Sequence, residues 1–387
     1  MRFGFNAFFL GQSSTGSGQY SQHLLRALAG IDRYNEYIAY APEKPGSSTP
    51  AGFTVHAVEM PWGGRSTNLA KPWFEQISFP RACRSDEVNL AHVPYFGSPL
   101  CPSVPTVVTV HDLIPLLLPS YRGSVWVRLY TSLVAASARR ADMIITDSRH
   151  SKQEIVQHLH VSSERVRIIH LAADPACRPV DDEGALMALR HKYELPNAYI
   201  LYLGGFDRRK NVGVLLHAYA RLLRALPGTV PPLVVAGRLP DAHTALFPDP
   251  RRITAQLGIE DNVRFTGWIS EEDKPALYTG ALFFAFLSLY EGFGLEPLEA
   301  MSCGTPVLAS NSTCLPEIVG SGGLLVDPTD VPRVMEGMAA LVQDSARRRK
   351  LAEDGLAQAA RFDWQQTARE TLEVFHLVAQ RRRPGRV

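Results

Sequence analysis

Two carboxylates and a run of cations dominate the chemistry available to this sequence. The segment Tyr290-Glu291-Gly292-Phe293-Gly294-Leu295-Glu296-Pro297-Leu298-Glu299 follows an apolar run, passes two glycines and enters a helical pattern with Pro297 at an early position. Backbone N–H groups and the dipole at such a helix start attract an anion, and glycines let a ligand reach the backbone. Glu291 and Glu299 stand eight positions apart, one in the loop and one in the first helical turn. Each ionised carboxylate accepts two hydroxyl hydrogen bonds, which suits the diol of a sugar or ribose. Glu299, deeper along the helix, is the better match for the ribose. Singly, Glu291 would read as a turn cap and Glu299 as a complement to the dipole; with the glycines they read as a site.

A second segment, Leu203-Gly204-Gly205-Phe206-Asp207-Arg208-Arg209-Lys210-Asn211, also lies between an apolar run and a helical pattern. Three consecutive cations at one strand end are costly to gather without an anion, and a guanidinium fork beside an ammonium matches a diphosphate. Taken alone, this segment is as readily a solvated loop. Ser14-Thr15-Gly16-Ser17-Gly18-Gln19-Tyr20 precedes a helix, with Gly16 and Gly18 placed to line a site. Val110-His111-Asp112 ends another apolar run; an isolated histidine at such a strand end ordinarily reads as structural, and Asp112 is expected to hold a local turn. In Asp147-Ser148-Arg149-His150-Ser151, N-capping by Ser148 is the simplest reading.

These residues need strands that end where they begin. Apolar runs of strand length recur at Val104–Val110, Met143–Thr146, Val166–Ile169, Tyr199–Leu203, Leu233–Ala236, Val263–Phe265, Leu282–Leu287 and Pro306–Ala309, after a short N-terminal strand. Helical spacing fills Gly18–Ala29, Ser151–His158, Val212–Leu226 and Val331–Gln343. Alternation of this kind means an α/β fold with parallel sheets, whose ligands sit beyond the carboxyl ends of the strands. At 387 residues the chain suits two such domains, split in the proline-marked stretch 172–182. The expected domains are 1–175 and 176–363, with 364–387 forming a terminal helix and a basic tail.

With 40 basic and 38 acidic residues there is no field to recruit nucleic acid, so an anionic ligand must be caught locally. The five scattered cysteines exclude a disulfide framework and a Cys-based zinc site, and read as buried thiols. Neither a signal peptide nor a membrane-spanning run is legible, so a cytoplasmic protein is expected, at most peripheral at the inner membrane face. Aromatics and arginines mixed in Pro61–Arg65, Trp73–Phe79 and Ser120–Arg128 suit acceptor or membrane contact, although helix packing equally explains Trp126, Leu129, Tyr130 and Leu133.

Glu291-Gly-Phe-Gly-Leu295…Glu299-Ala300-Met301…Gly304-Thr305-Pro306-Val307, continued by Pro316-Glu317-Ile318 and Gly323…Pro328, resembles the Glu-x7-Glu block of glycosyltransferase family 4, the retaining enzymes of GT-B fold. The likeness covers essentially the whole chain. It implies two Rossmann-like domains facing each other across a cleft, the N-terminal one for the acceptor and the C-terminal one for a nucleotide sugar. It further implies that Arg209 and Lys210 hold the donor diphosphate, Glu291 the sugar and Glu299 the ribose. The amides of Gly292, Phe293, Gly294 and Leu295 would meet sugar or phosphate oxygens, His111 would lie beside the transferred sugar, and the last helix would cross back to the first domain. Gly205 stands where many members carry another arginine, shifting charge onto Arg209 and Lys210.

The implied reaction is hexose transfer from a nucleoside diphosphate sugar to a saccharide or lipid-linked saccharide, with retention. Neither a cofactor nor a metal is expected, because no Asp-x-Asp ends a strand. Likeness to bacterial mannosyltransferases of polysaccharide and O-antigen assembly points to GDP-mannose, with UDP-glucose or another UDP-hexose as the alternative. A nucleotide-sugar epimerase, and a subunit that binds nucleotide sugars without catalysis, are the rival readings.

Overall fold

The structure, a computed structural model, describes residues 1–12, 15–42, 52–60 and 67–381. Residues 61–65 and the tail beyond Arg381, both singled out above, lie outside that set, as does Ser14 of the glycine loop. The chain divides into two compact units, one made of Met1–Leu171 with the residues from Asp363 onward, the other of Ala172–Phe362.

Unit 1 is built on seven parallel strands: β1 (Arg2–Asn6), β2 (Glu36–Ala41), β3 (Phe53–Ala57), β4 (Leu90–Val93), β5 (Thr106–Thr109), β6 (Met143–Thr146) and β7 (Val166–Ile168), ordered β3-β2-β1-β4-β5-β6-β7. Strands such as Thr106–Thr109 and Met143–Thr146 are buried at every position, as expected of β-branched and apolar runs covered on both faces. The helix Trp364–Arg381 belongs to this unit: Phe375 is fully buried, with its ring 5.4 Å from Phe3, 5.8 Å from Phe5 and 5.1 Å from His92.

Unit 2 has six parallel strands, β8 (Ile200–Leu203), β9 (Leu233–Ala236), β10 (Val263–Gly267), β11 (Phe283–Phe286), β12 (Val307–Ser310) and β13 (Gly323–Val326), ordered β10-β9-β8-β11-β12-β13. Ile200 pairs with Phe283 and Leu201 with Phe284, so β8 and β11 are direct neighbours at the sheet centre. The strand order reverses there, and a doubly wound sheet opens its ligand crevice at such a point. Both chemistry-bearing segments of unit 2, 204–210 and 287–295, leave the sheet from these two strands.

Four strands escaped the sequence reading: β2, β3, β4 and β13. β3 alternates between partly buried and exposed positions, β13 is partly buried throughout and opens on Gly323, and neither carries the apolar run of a doubly covered strand. Cys101 is exposed, against the expectation that all five thiols are buried. The helix Val125–Arg140 leaves Trp126 76% and Leu129 56% exposed, so packing does not account for those two side chains.

Candidate active site

Unit 2 gathers its charges from two loops and a helix start. A short turn, Arg208–Lys210, follows β8, and the peptide of Leu289 donates to the Arg209 carbonyl at 2.8 Å, stitching it to the loop after β11. Ser288 Oγ donates to the same carbonyl, and Ser310 Oγ donates to the Ser288 carbonyl. The two loops are thus tied together by one backbone bond and two serine hydroxyls, apart from their charged side chains.

Within that frame Arg209 Nη1 lies 2.6 Å from Glu291 Oε2 and donates to the Tyr290 carbonyl at 2.9 Å; its Nε stands 3.3 Å from Asp207 Oδ1. Lys210 Nζ lies 2.8 Å from Glu296 Oε1 and 2.9 Å from Glu291 Oε1, the second contact off the hydrogen-bond axis, and 4.7 Å from the centre of the Phe286 ring. Lys210 and Glu291 are both buried. Burial disfavours charge on each, yet their mutual attraction prevails: Lys210 and Arg209 are held above their ordinary range and Glu291 below its own. An ammonium carries three N–H bonds, so Lys210 can serve both carboxylates and still reach a ligand oxygen.

The three consecutive cations do not act together. Arg208 is exposed, and the neutralising anions of the other two are protein carboxylates, Glu291, Glu296 and Asp207. An anion bound here would therefore compete with internal pairs.

Glu299 is buried in the helix Leu295–Ser302, where Tyr278 donates to its Oε2 at 3.1 Å and Lys274 Nζ stands 3.9 Å away. Burial pushes its carboxyl up to about 7, opposed by Lys274 and assisted by the charges of Glu296 and Glu271. Gly294 opens this helix at φ 97°, and a Cβ there would come within 2.6 Å of Leu315 Cδ2, so the turn requires glycine. Leu295 starts the helix, placing its amide in the turn that has no i−4 partner. Phe293 is buried against Phe362, and Cys314 Sγ donates to the Phe293 and Glu291 carbonyls, so this loop is braced from behind. Gly292 lies between those two carbonyls, and Gly205 sits in the loop after β8 with Asp207 as its nearest side chain.

In unit 1, Thr15 caps the helix Gly16–Ile31 by accepting from the Gly18 amide. A Cβ on Gly18 would lie 2.1 Å from the Gln12 carbonyl, whereas Gly16 has open space. Gly18 is thus needed by the helix start itself, and Gly16 is the position at which a ligand can come close. His111 follows β5; its Nδ1 lies 2.6 Å from Asp147 Oδ2 and its Nε2 3.2 Å from the Pro94 carbonyl. Asp112 accepts from the Ile114 amide, a turn role. Ser148 caps the helix Arg149–Leu159.

Sequence reasoning left Glu296, Lys274, Tyr278 and Asp147 without roles. Glu296 was the most readable of them, one position after Leu295 in the same first turn; Lys274 and Tyr278 lie on a separate helix, Lys274–Thr279, and only the folded sheet brings them to Glu299. Among the described residues no group of three His, Cys, Asp or Glu side chains is placed to hold a metal ion. No helix of the described residues is long and apolar enough to cross a membrane.

Comparison with known proteins matches the same two halves. The model of glycosyl transferases group 1 fits residues 189–358 and that of Glycosyltransferase Family 4 fits residues 14–176. O-antigen chain mannosyltransferase B of Escherichia coli is 35% identical over 273 residues, covering 70% of each chain. Serotype-specific mannosyltransferase WbdA of Escherichia coli is also 35% identical over 273 residues, 70% of this chain, but the match spans only 33% of WbdA's own length. Among solved structures, sucrose-phosphate synthase from Thermosynechococcus elongatus superposes with a TM-score of 0.77 over 98% of this chain and 100% of its own, at 21% identity. Two parallel-sheet α/β units of GT-B type, both family models and a relative of this similarity leave one assignment: the chain belongs to the family 4 (group 1) glycosyltransferases.

Proposed function

We propose that the protein transfers a hexose from a nucleoside diphosphate sugar to a hydroxyl of a saccharide or lipid-linked saccharide, with retention at the anomeric carbon. The observation that carries this reading is the convergence of Arg209, Lys210, Glu291 and the helix start at Leu295 at the point where the unit 2 sheet reverses. Departure of a nucleoside diphosphate places negative charge on phosphate oxygens, and two cations held in place by the fold, with a helix N-terminus, stabilise it. This supports a metal-independent reaction. Glu299 is assigned to the ribose hydroxyls and Glu291 to the sugar, each through carboxylate oxygens that accept hydroxyl protons. Gly16 and His111 are the unit 1 groups offered to the substrates.

Mannose is the favoured sugar, because the E. coli relatives are mannosyltransferases, and GDP-mannose the corresponding donor. A cytoplasmic site of action fits a nucleotide-sugar substrate. Exposed Val125, Trp126 and Leu129 beside Arg122 and Arg128 support peripheral contact with an anionic membrane surface.

A panel of GDP- and UDP-hexoses, each with and without EDTA and with and without acceptor, tests the reading. Acceptor-dependent mannose transfer from GDP-mannose, unchanged by EDTA, is the expected result. Conversion of the sugar without any acceptor indicates an epimerase, and EDTA-sensitive transfer removes metal independence.

A further inference from the structure

His111 is the unit 1 side chain assigned to the reaction, and its protonation state follows from its neighbours. Nδ1 lies 2.6 Å from a carboxylate oxygen of Asp147, and Nε2 lies 3.2 Å from the carbonyl oxygen of Pro94. Both partners only accept. A neutral imidazole has one N–H, so one ring nitrogen would then turn a lone pair toward an oxygen; an imidazolium satisfies both contacts.

The surroundings favour the charged ring. Asp147 follows β6 and is 1% exposed, and its second oxygen, Oδ1, is buried without a hydrogen-bond partner among the described residues. A buried carboxylate with an unsatisfied oxygen is costly unless a cation stands against it, and among the described contacts His111 is its ion-pair partner. Asp112, in the ring's own segment, adds a second negative charge. On the β4 side, His92 donates no competing charge: burial drives its pKa down to about 3, and its Nε2 is engaged with Thr109 at 2.9 Å. From the helix Gly16–Ile31, Tyr20 packs its ring nearly perpendicular to His111 at 4.8 Å while its hydroxyl meets Thr109. From the helix Arg149–Leu159, Ser151 Oγ donates to the His111 carbonyl and fixes the backbone. Burial works against charge on His111, but Asp147 outweighs it, and the ring titrates above its ordinary range.

We propose that Asp147 is a positioning residue that holds His111 as an imidazolium, so that His111 offers the reaction a fixed positive charge and a proton-bearing nitrogen and does not act as a base. The long contact to the Pro94 carbonyl is the one that a sugar or phosphate oxygen would replace. The ring loses its charge only as pH rises through its elevated pKa, so turnover should be level at neutral pH and fall on the alkaline side. A histidine base would give the opposite limb, with turnover rising through the same pKa.

Two readouts test this on the full chain. The proposal rests on the transferase reading for the second of them only. Ring nitrogen-15 NMR of labelled histidine should find both His111 nitrogens protonated at neutral pH, and in Asp147→Asn the His111 titration should move down by about 1–3 pH units. In the kcat profile, Asp147→Asn should move the alkaline limb down correspondingly, about tenfold in kcat per unit above the new pKa, with donor KM much less affected. Asp147→Glu should restore part of the wild-type profile, which a merely structural residue would not do. Should Asp147→Asn fail to fold, the wild-type titration and Asp147→Glu still decide the question. A neutral His111 in wild type at neutral pH, or an alkaline limb indifferent to residue 147, overturns the proposal. An imidazolium found by NMR in a protein that transfers no sugar would leave the pair standing and sink the transferase reading instead.

Discussion

Glu299 is the residue whose chemistry is most sensitive to conditions. Its carboxyl is pushed up to about 7 because burial, with the charges of Glu296 and Glu271, outweighs Lys274 at 3.9 Å and the Tyr278 hydroxyl. Two ribose hydroxyls need an ionised acceptor, so binding must remove the proton that burial keeps on. Nucleotide affinity should therefore rise as pH increases through about 7. Calorimetric titration at several pH values checks this, and in Glu299→Gln the dependence should flatten while affinity drops. At this scale the sequence pointed to candidate residues by type and place but not to their partners. Arg209, Lys210 and Glu291 were recognisable from type and place, but their pairing with each other is a fact of folding, because residues some eighty positions apart meet only when β8 and β11 become neighbours. Asp147 stayed unassigned for the same reason, since its bond to His111 joins the ends of β6 and β5.

Among elements, the loop from β11 into the helix Leu295–Ser302 has the least freedom. Gly294 occupies a left-handed conformation with Leu315 pressed against the place of a Cβ. Gly294→Ala should cost about 1–3 kcal/mol in backbone strain, before any clash. It should raise donor KM by displacing Glu291 and the helix start, with thermal melting and steady-state kinetics as the measures. The terminal helix Trp364–Arg381 gives a second test. Phe375→Ala empties a fully buried site between Phe3, Phe5 and His92 and should destabilise unit 1 by about 3–5 kcal/mol. Denaturant melts followed by a unit 1 probe check that value. Strands such as β6 and β9 were legible because their apolar runs are unbroken, whereas β3 and β13, partly exposed and short, carry no such signal, and β2 and β4 escaped the reading although they are largely buried.

For the whole molecule, the two sheets carry two separate cores, and the proposed donor site lies in the second. Nucleoside diphosphate should slow amide exchange in 203–213 and 288–300, where loop bonds such as Leu289 N–H to Arg209 O bind the site together, and leave the unit 1 core strands unchanged. Protection confined to unit 1 would place the nucleotide in the wrong half.

The most direct test of the central claim is the affinity of Lys210→Ala for the nucleoside diphosphate, measured by calorimetry on protein whose fold has been checked by circular dichroism. Removing a charged hydrogen-bond donor from the phosphates is worth about 1.5–3 kcal/mol, so affinity should fall by roughly 10- to 150-fold, with Lys210→Arg retaining more of it than alanine. Wild-type affinity in a folded Lys210→Ala protein would contradict the assignment of the diphosphate to this site.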